Sequence, residues 1–326
     1  NSGLQSASTV DVSADAGIQG LAGTTAASSA STSAGVANAF TTLADSAGIQ
    51  DLTRLTVGGE MTALGQSMNS LSADAGSVVG DSIGRSKMTD QVEGLEANDI
   101  SVSSDAGIQG LAQLSNSASA ATSAGDALST AAAEKLQGAD LDGLDVGGVA
   151  SVIGQTTLSN TAFSETVVAA DSGLGAEATA TLHQADGLLA SNNPLADAAA
   201  GIEVSSDATL TGLASIDNSA SAAATSGAST ATATATWVDG ARINSTDIGG
   251  VGSITGQVSL SSTADAANVT GMAKGVGTLN TAEGLDLNAK LEVASDATVS
   301  GSAGISSSAD ASTTAGKATA ESLSTT

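Results

Sequence analysis

The sequence contains no cysteine, a single proline (Pro194) and only three aromatic residues, Phe40, Phe163 and Trp237. Without cysteine there can be no disulfide, no thiolate metal ligand and no cysteine nucleophile. Large aliphatic and aromatic side chains fill conventional globular cores. Their scarcity here, beside abundant Ala, Ser, Thr and Gly, favours a chain that buries many small side chains in closely stacked β-sheets.

Positive charge is also scarce, with 8 Lys and Arg against 34 Asp and Glu and a formal net charge of −26. Binding to nucleic acid needs clustered Lys and Arg, so we expect no nucleic-acid partner. No run of 18 or more apolar residues is present, so we expect no transmembrane segment. The sequence starts at Asn1 without a Lys/Arg-led apolar leader, which is what a mature secreted chain or a fragment would show.

Residues suited to catalysis are few. His183 is the one histidine, and no glycine motif is followed by the Lys of a phosphate-binding loop. We therefore predict that the chain is not an enzyme and needs no organic cofactor.

The chain is an internal repeat. Two nine-residue patterns alternate, represented by VSSDAGIQG at 102–110 and VGGVASVIG at 146–154, and each runs from a β-branched anchor to a glycine. The anchors are spaced by 45, 45, 44, 58, 44 and 45 residues, which predicts one repeat array of seven units of about 45 residues. Because two types alternate, we expect one structural layer to comprise two units. The anchors are Val12, Val57, Val102, Val146, Val204, Ile248 and Val293.

Within each unit small and apolar residues recur at every second position, which predicts long β-strands. The fold prediction is all-β, either a β-solenoid or stacked long hairpins. Short helices could form at 126–136 and 195–200, and Asp239-Gly240 could form a hairpin turn. The fourth unit is longer than the others, and the excess is predicted to form a surface loop within 169–203 that includes His183 and Pro194.

Two residue types repeat in a fixed phase. The glycine that ends each nine-residue pattern recurs in every unit. A glycine in a strand pattern usually marks the close approach of another backbone. An Asn or Ser follows this glycine by six positions in the last five units and by four positions in the second unit. We expect these side chains to form a hydrogen-bonded ladder along the array. The glycines are Gly20, Gly65, Gly110, Gly154, Gly212, Gly256 and Gly301, and the polar positions are Asn69, Asn116, Asn160, Asn218, Ser262 and Ser307.

Acidic residues offer the one candidate for metal binding. Asp15, Asp105, Asp207 and Asp296 each follow an anchor by three positions, and either a calcium column or a turn that bonds a backbone amide would explain them. Asp140, Asp142 and Asp145 surround Gly143 and are the candidate calcium ligands, although the terminal Glu of a calcium loop is missing.

An array of strands exposes unpaired edges at its two ends unless caps cover them. The last unit stops about 34 residues after Val293, and only residues 1–11 precede the first anchor. We therefore expect the chain to bind itself head to tail, by strand addition at the edges, into a filament.

Short β-rich repeats with Gly, Asn and Ala in fixed phase resemble secreted bacterial fibre proteins of the curli type, including the small anchor proteins that tie adhesive holdfasts to cells. The units here are longer, and the Gly-to-Asn spacing, as in Gly110 to Asn116, is wider than in curli. The resemblance implies an extracellular, non-enzymatic, self-assembling fibre of a biofilm or cell surface, with an outer-membrane anchor or polysaccharide as further partners. The alternative is a monomeric adhesin stalk or binding module, whether calcium-stiffened, ice-binding (through the Thr row at 230–236) or phage-fibre-like.

Overall fold

The computed structural model describes residues 2–5, 9–168, 175–191, 201–288 and 290–324. Every regular element in these ranges is a β-strand, which confirms the all-β prediction. The strands are β1 (Ser2–Gln5), β2 (Val10–Val12), β3 (Ala16–Thr32), β4 (Ala37–Val57), β5 (Met61–Val79), β6 (Ser82–Val102), β7 (Ala106–Ala124), β8 (Ala127–Val146), β9 (Ala150–Val168), β10 (Ala176–Ser191), β11 (Ile202–Val204), β12 (Ala208–Ile243), β13 (Thr246–Ile248), β14 (Gly252–Leu287), β15 (Leu291–Val293) and β16 (Ala297–Ser324).

The strands form a parallel solenoid. All strand pairs in the described residues are parallel, whereas stacked hairpins would pair antiparallel. Sheet A consists of β3, β5, β7, β9 and the first parts of β12, β14 and β16. Sheet B consists of β1, β2, β4, β6, β8, β10, β11, β13, β15 and the second parts of the same three long strands.

The chain passes from sheet A to sheet B at a corner glycine. Gly80, Gly125 and Gly271 have positive φ values of 117°, 140° and 134°, a backbone conformation that side chains with a Cβ rarely adopt. In β12, β14 and β16 the hydrogen bonding continues through this corner, so one long strand serves both sheets. Sequence reasoning did not single out this glycine column.

One turn of the solenoid contains one repeat unit. In sheet A the in-register column reads Ile18, Ala63, Ile108, Val152, Leu210, Ile254 and Val299, which advances with the same spacings as the anchors. Both repeat types therefore occupy the same face in successive layers. The expectation that a layer comprises two units is wrong, because each unit forms both sheets of its own layer.

The core between the sheets is divided into zones along the strand direction. Large aliphatic residues such as Ile108 and Leu144 fill the end near the anchors. A second aliphatic zone contains Leu114 and Leu136, and the end near the corner is filled by alanines such as Ala118 and Ala131. Gly110 lies between the first two zones in β7, and Asn116 lies between the last two. The alternating sequence pattern is thus the inward face of a flat, two-sheet layer.

Two local expectations are corrected by the sheets. Residues 127–136 are part of β8 rather than a helix, because pairing with β6 and β10 on both sides outweighs the helix propensity of alanine. Asp239-Gly240 is not a hairpin turn, since β12 continues through it to Ile243 in parallel with β10 and β14. The second possible helix, 195–200, lies outside the described residues.

Strands occupy part of the range 169–203, within which the excess of the fourth unit is predicted to form a surface loop. β10 occupies Ala176–Ser191 and β11 occupies Ile202–Val204, and both pair with neighbouring layers. His183 is exposed on β10. The registers place the extra residues between β9 and β10 and between β10 and β11, where 169–174 and 192–200 lie outside the described residues together with Pro194.

Candidate functional site: inner columns and open edges

The repeated glycines bring the two sheets into backbone contact. A Cβ added to Gly154 would lie 2.1 Å from the carbonyl oxygen of Gly187, and one added to Gly110 would lie 2.1 Å from that of Gly138. The predicted close approach of another backbone is confirmed. The same approach to a glycine carbonyl is found at Gly20, Gly65, Gly212 and Gly256, whereas the nearest atom to Gly301 is Leu285 Cβ at 3.0 Å.

The partner glycines form a second column that sequence reasoning missed. They follow the first column by about 28 residues in most units and occur in short segments such as AGIQ at 47–50 and EGLD at 283–286. A search for a second glycine at a fixed distance would have found them. We call the two facing columns the glycine waist, and its sheet B members are Gly3, Gly48, Gly94, Gly138, Gly187, Gly240 and Gly284.

The amide ladder forms in the middle of the solenoid. Asn116 Nδ2 donates to Asn160 Oδ1 at 3.0 Å, and Asn160 Nδ2 donates to Asn218 Oδ1 at 2.9 Å. The same amide of Asn160 also donates to the carbonyl of Thr181 in sheet B at 3.0 Å. The ladder therefore joins both successive layers and the two sheets, in a core where an unpaired amide would be costly.

The ladder does not include every predicted member. Ser262 and Ser307 continue the Asn218 column in register, but Asn69 pairs with Leu114, while Leu71 pairs with Asn116. Asn69 is therefore shifted by two residues and bonds Ser67 Oγ at 3.0 Å. A shift of two keeps a side chain on the same face of a strand, so sequence phase alone could not detect it.

The recurring aspartates connect one layer to the next at the turn that precedes sheet A. Oδ1 of Asp105 accepts from the backbone N–H of Val149 at 2.8 Å, and Oδ1 of Asp207 accepts from that of Val251 at 2.7 Å. The second glycine of the next layer's Gly-Gly pair makes room, because a Cβ at Gly148 would lie 2.2 Å from Asp105 Oδ1. The two repeat types alternate because an aspartate layer fits beneath a Gly-Gly layer.

The three candidate calcium ligands, Asp140, Asp142 and Asp145, lie within β8. Asp140 and Asp142 are half-buried, and Asp145 is exposed beyond Gly143, whose φ is 86°. Across the described parts of the chain, no three His, Cys, Asp or Glu side chains are grouped to hold a metal ion.

A column of polar residues lies directly before the sheet B glycines. In register it comprises Glu93, Gln137, Asp186, Asp239 and Glu283. Three of them, Glu93, Asp186 and Asp239, are buried carboxylic acids, whereas Glu283 is exposed. Arg242 pairs with Asp186 Oδ1 at 3.5 Å and also contacts Asp239, and Gln184 Nε2 donates to Asp186 Oδ2 at 2.6 Å. Sequence reasoning missed this column because Asp and Glu are frequent throughout the chain.

Burial controls the protonation of this column. Removal from water, with additional repulsion from Glu96 and Asp140, raises the pKa of Glu93 from 4.5 to about 8. Burial raises the pKa of Asp140 to about 6 although Lys135 opposes the shift. Burial also raises the pKa of Asp186 and Asp239, since the single guanidinium of Arg242 only partly compensates them. Glu93 therefore carries a proton at neutral pH.

We expect stability to fall as the pH rises from about 4.5 to about 8. The folded state binds the Glu93 proton more tightly than the unfolded state does. The stabilisation that this proton gives is fully present below pH 4.5 and is lost as the pH rises to about 8. The loss from this group is on the order of 5 kcal/mol at most. Glu93→Gln, which mimics the protonated acid, should flatten the dependence of the unfolding free energy on pH, measured by denaturant titration at several pH values.

The matched control is Glu165→Gln, because Glu165 is exposed on β9. It removes the same formal charge but should keep the wild-type pH slope. A residual slope should remain in Glu93→Gln, since Asp140 titrates in the same direction. Equal slopes for wild type and Glu93→Gln would contradict the buried-proton assignment.

No protein-family model, curated protein or solved structure matches this chain. The part of the chain that the structure describes contains no helix, and hence none able to cross a membrane.

Both ends of the solenoid expose strand edges. In the described residues β3 pairs only with β5, and β16 pairs only with β14. In sheet B, residues 37–43 of β4 and residues 281–287 of β14 likewise have a neighbouring strand on one side only. Exposed strand edges are templates for pairing with another chain.

Proposed function

We propose that this chain is the structural subunit of an extracellular filament that grows by head-to-tail stacking of solenoids, with an adhesive or matrix role and no enzymatic activity. The observation that supports this proposal most directly is the parallel, in-register stacking of successive units, which a second copy can continue. Because the contact joins two different surfaces, its repetition does not close and gives an open filament.

The inner columns support the same proposal. The glycines, amides and apolar residues recur at every layer with the same register, so a second copy can continue each column. The formal charge of −26 opposes association along the sides, which favours growth along the axis. The extracellular location is part of the proposal and is suggested by the strongly acidic, lysine-poor composition.

The filament proposal is tested by one inward charge at the open edge. Ile305 lies on β16 and packs against the second aliphatic zone, and Ser306 is the adjacent exposed residue. Ile305→Lys should place an ammonium between the sheets where the next copy must stack, and so should abolish filaments in electron micrographs and light scattering. Circular dichroism should show that the β-structure of the monomer is retained.

Ser306→Lys is the matched control, because it adds the same charge on the outer side of the same strand. It should assemble like the wild type. A wild-type chain that stays monodisperse over a wide concentration range would contradict the filament and leave a monomeric stalk as the function. Normal filaments from Ile305→Lys would show that β16 is not the growing edge.

A further inference from the structure

Lys135 on β8 differs from the other lysines of the chain because its side chain is half-buried. Its Nζ donates to Gln91 Oε1 of β6 at 3.5 Å, in a part-buried position. The chain has no cysteine, so no disulfide can join its layers. A lysine amine held against a glutamine carboxamide of the neighbouring layer is a pair from which an amide cross-link can form. The other four lysines are exposed, namely Lys87, Lys274, Lys290 and Lys317.

The strand register holds the two side chains together. Gln91 and Lys135 are in-register partners on adjacent parallel strands, about 4.8 Å apart at Cα. Val92 and Leu136 belong to the second aliphatic zone between the sheets, so strand alternation places Gln91 and Lys135 on the outer side of sheet B. A register shift between Met88 and Gln91 lies directly before the pair, and such bulges re-aim side chains. Both groups are therefore fixed by strand pairing rather than carried on a loop.

Glu93 places an acid beside this pair. It follows Gln91 by two residues on the same outer side of β6, and its Cα lies about 8 Å from that of Lys135, within reach of the long lysine side chain. Glu93 is buried, and its Oε2 has no hydrogen-bond partner among the described residues. Burial raises its pKa to about 8, and the ammonium of Lys135 opposes the shift. An amine, a carboxamide and a protonated carboxylic acid are thus gathered at one place.

We propose that Lys135 and Gln91 form an isopeptide cross-link that joins the layers of β6 and β8 covalently, with Glu93 as the group that transfers a proton. The cross-link goes beyond the proposed filament, because it forms within one molecule whether or not copies assemble. It closes the segment 91–135 into a covalent loop, and a cross-link of this kind restricts the unfolded chain.

The reaction is a transamidation that needs no other reactant. The lone pair of the neutral Lys135 Nζ adds to Cδ of Gln91, and the Nζ–Cδ bond forms. The Cδ–Nε2 bond then breaks, and its electron pair leaves with Nε2 as ammonia. The lysine ammonium loses two protons, of which one goes to solvent before the attack and one passes to Glu93 after it. Glu93 gives its own proton to the leaving Nε2 and is restored, and the released ammonia takes up a proton from solvent.

The fold favours this reaction in two ways. Holding the amine against the amide makes a bimolecular step intramolecular, and well-oriented pairs reach effective concentrations of roughly 10⁵–10⁸ M. Partial burial limits the access of water, which would otherwise attack Gln91 Cδ and leave a glutamate. Because ammonia escapes into solvent, one slow event in each molecule is sufficient.

The mass of the purified full-length protein tests the cross-link. The wild type should be lighter than its sequence by one ammonia molecule. After denaturation, trypsin should fail to cleave at Lys135, because an acylated amine carries no charge. One fragment covering 88–242 should therefore replace the fragments 88–135 and 136–242. Lys135→Arg keeps the charge but has no primary amine, and Gln91→Met has no carboxamide, so both variants should have the full mass of their sequences.

The chain offers a matched control for each partner. Gln184 is the in-register neighbour of Lys135 on its other side, but its Nε2 donates to Asp186 Oδ2 at 2.6 Å. Lys87 is exposed and pairs with Glu134 at 3.5 Å. Gln184→Met and Lys87→Arg should lose ammonia as the wild type does, and circular dichroism should show that all variants retain the β-structure.

Glu93→Gln tests the proton transfer. A positioned acid–base group contributes about 10²-fold or more to the rate, so this variant should cross-link at least about a hundredfold more slowly. Masses recorded at intervals after refolding from denaturant would measure the rate. Glu165→Gln removes the same formal charge from an exposed position and should cross-link at the wild-type rate.

The outcomes separate this proposal from the filament. A wild-type mass equal to that of the sequence, with cleavage at Lys135, would overturn the cross-link and leave the filament unaffected. Loss of ammonia from folded Lys135→Arg or Gln91→Met would assign the reaction to other residues and would also overturn it. Cross-linking of Glu93→Gln at the wild-type rate would overturn the role of Glu93.

Discussion

Replacing Gly154 by alanine is expected to cause one of the largest losses of stability of any single-methyl change in this chain. The added Cβ would lie 2.1 Å from Gly187 O and 2.8 Å from Leu188 Cα, and both neighbours are backbone atoms that cannot rotate away. The sheets must separate locally, and the aliphatic zones on both sides then lose contact. We expect a loss of about 3 kcal/mol or more, from the upper range for overpacked cores, and a decrease in Tm of roughly 6–12 °C.

The matched control is Gly76→Ala, because Gly76 is also within a strand, β5, but a Cβ there would meet no atom within 4 Å. It should be close to neutral in thermal unfolding. Hydrogen exchange should localise the effect of Gly154→Ala to layers next to β9, since contacts in a solenoid are between neighbours. Equal Tm values for the two variants would show that the sheets do not meet at the glycine waist.

Asn160→Asp is the second substitution with a large expected effect. The Asn160 amide donates to Asn218 Oδ1, to the carbonyl of Thr181 and to that of Ala131, and its oxygen accepts from Asn116. An aspartate has nearly the same shape but cannot donate when ionised, and it buries a charge beside three acceptors. We expect a loss of about 3 kcal/mol or more near neutral pH.

The pH dependence identifies the mechanism. Burial should hold the pKa of the new carboxyl above its ordinary range, so stability is retained at acid pH, where the protonated group can donate, and is lost as the pH rises. Asn38→Asp, at an exposed position of β4, adds the same charge and should show neither effect. A loss for Asn160→Asp that does not diminish at acid pH would contradict the ladder as its cause.

The buried carboxylic acids of the polar column add a functional consequence. Glu93 is 2% exposed and protonated at neutral pH, whereas Asp186 and Asp239 share Arg242. Raising the pH should therefore destabilise the layers, because it ionises a buried carboxyl group. The exposed acidic residues provide no compensating stabilisation. A filament built from these subunits is expected to be more resistant to mild acid than to alkali.

Sequence reasoning was most successful for contacts between equivalent positions of successive repeat units. Val152 and Ile108, or Asn116 and Asn160, are stacked because equal positions of successive units pair in register. It failed where different parts of a unit meet. Ala131 was assigned to a possible helix, and Asp239-Gly240 to a hairpin, because the neighbouring strands that keep both segments extended are distant in sequence.

The relation between Gly154 and Gly187, or between Asp105 and Gly148, could not be predicted from either residue alone. Each pair forms only after a layer closes and brings its two sheets, or two successive turns, within contact distance. The strands, their inward faces and the interval at which they stack could be predicted from the amino-acid order, because strand periodicity and repeat length are local properties of the chain. Which glycines oppose each other and which carboxyl groups are buried could not, because these depend on how far apart the two sheets lie and on what covers each layer in the folded protein.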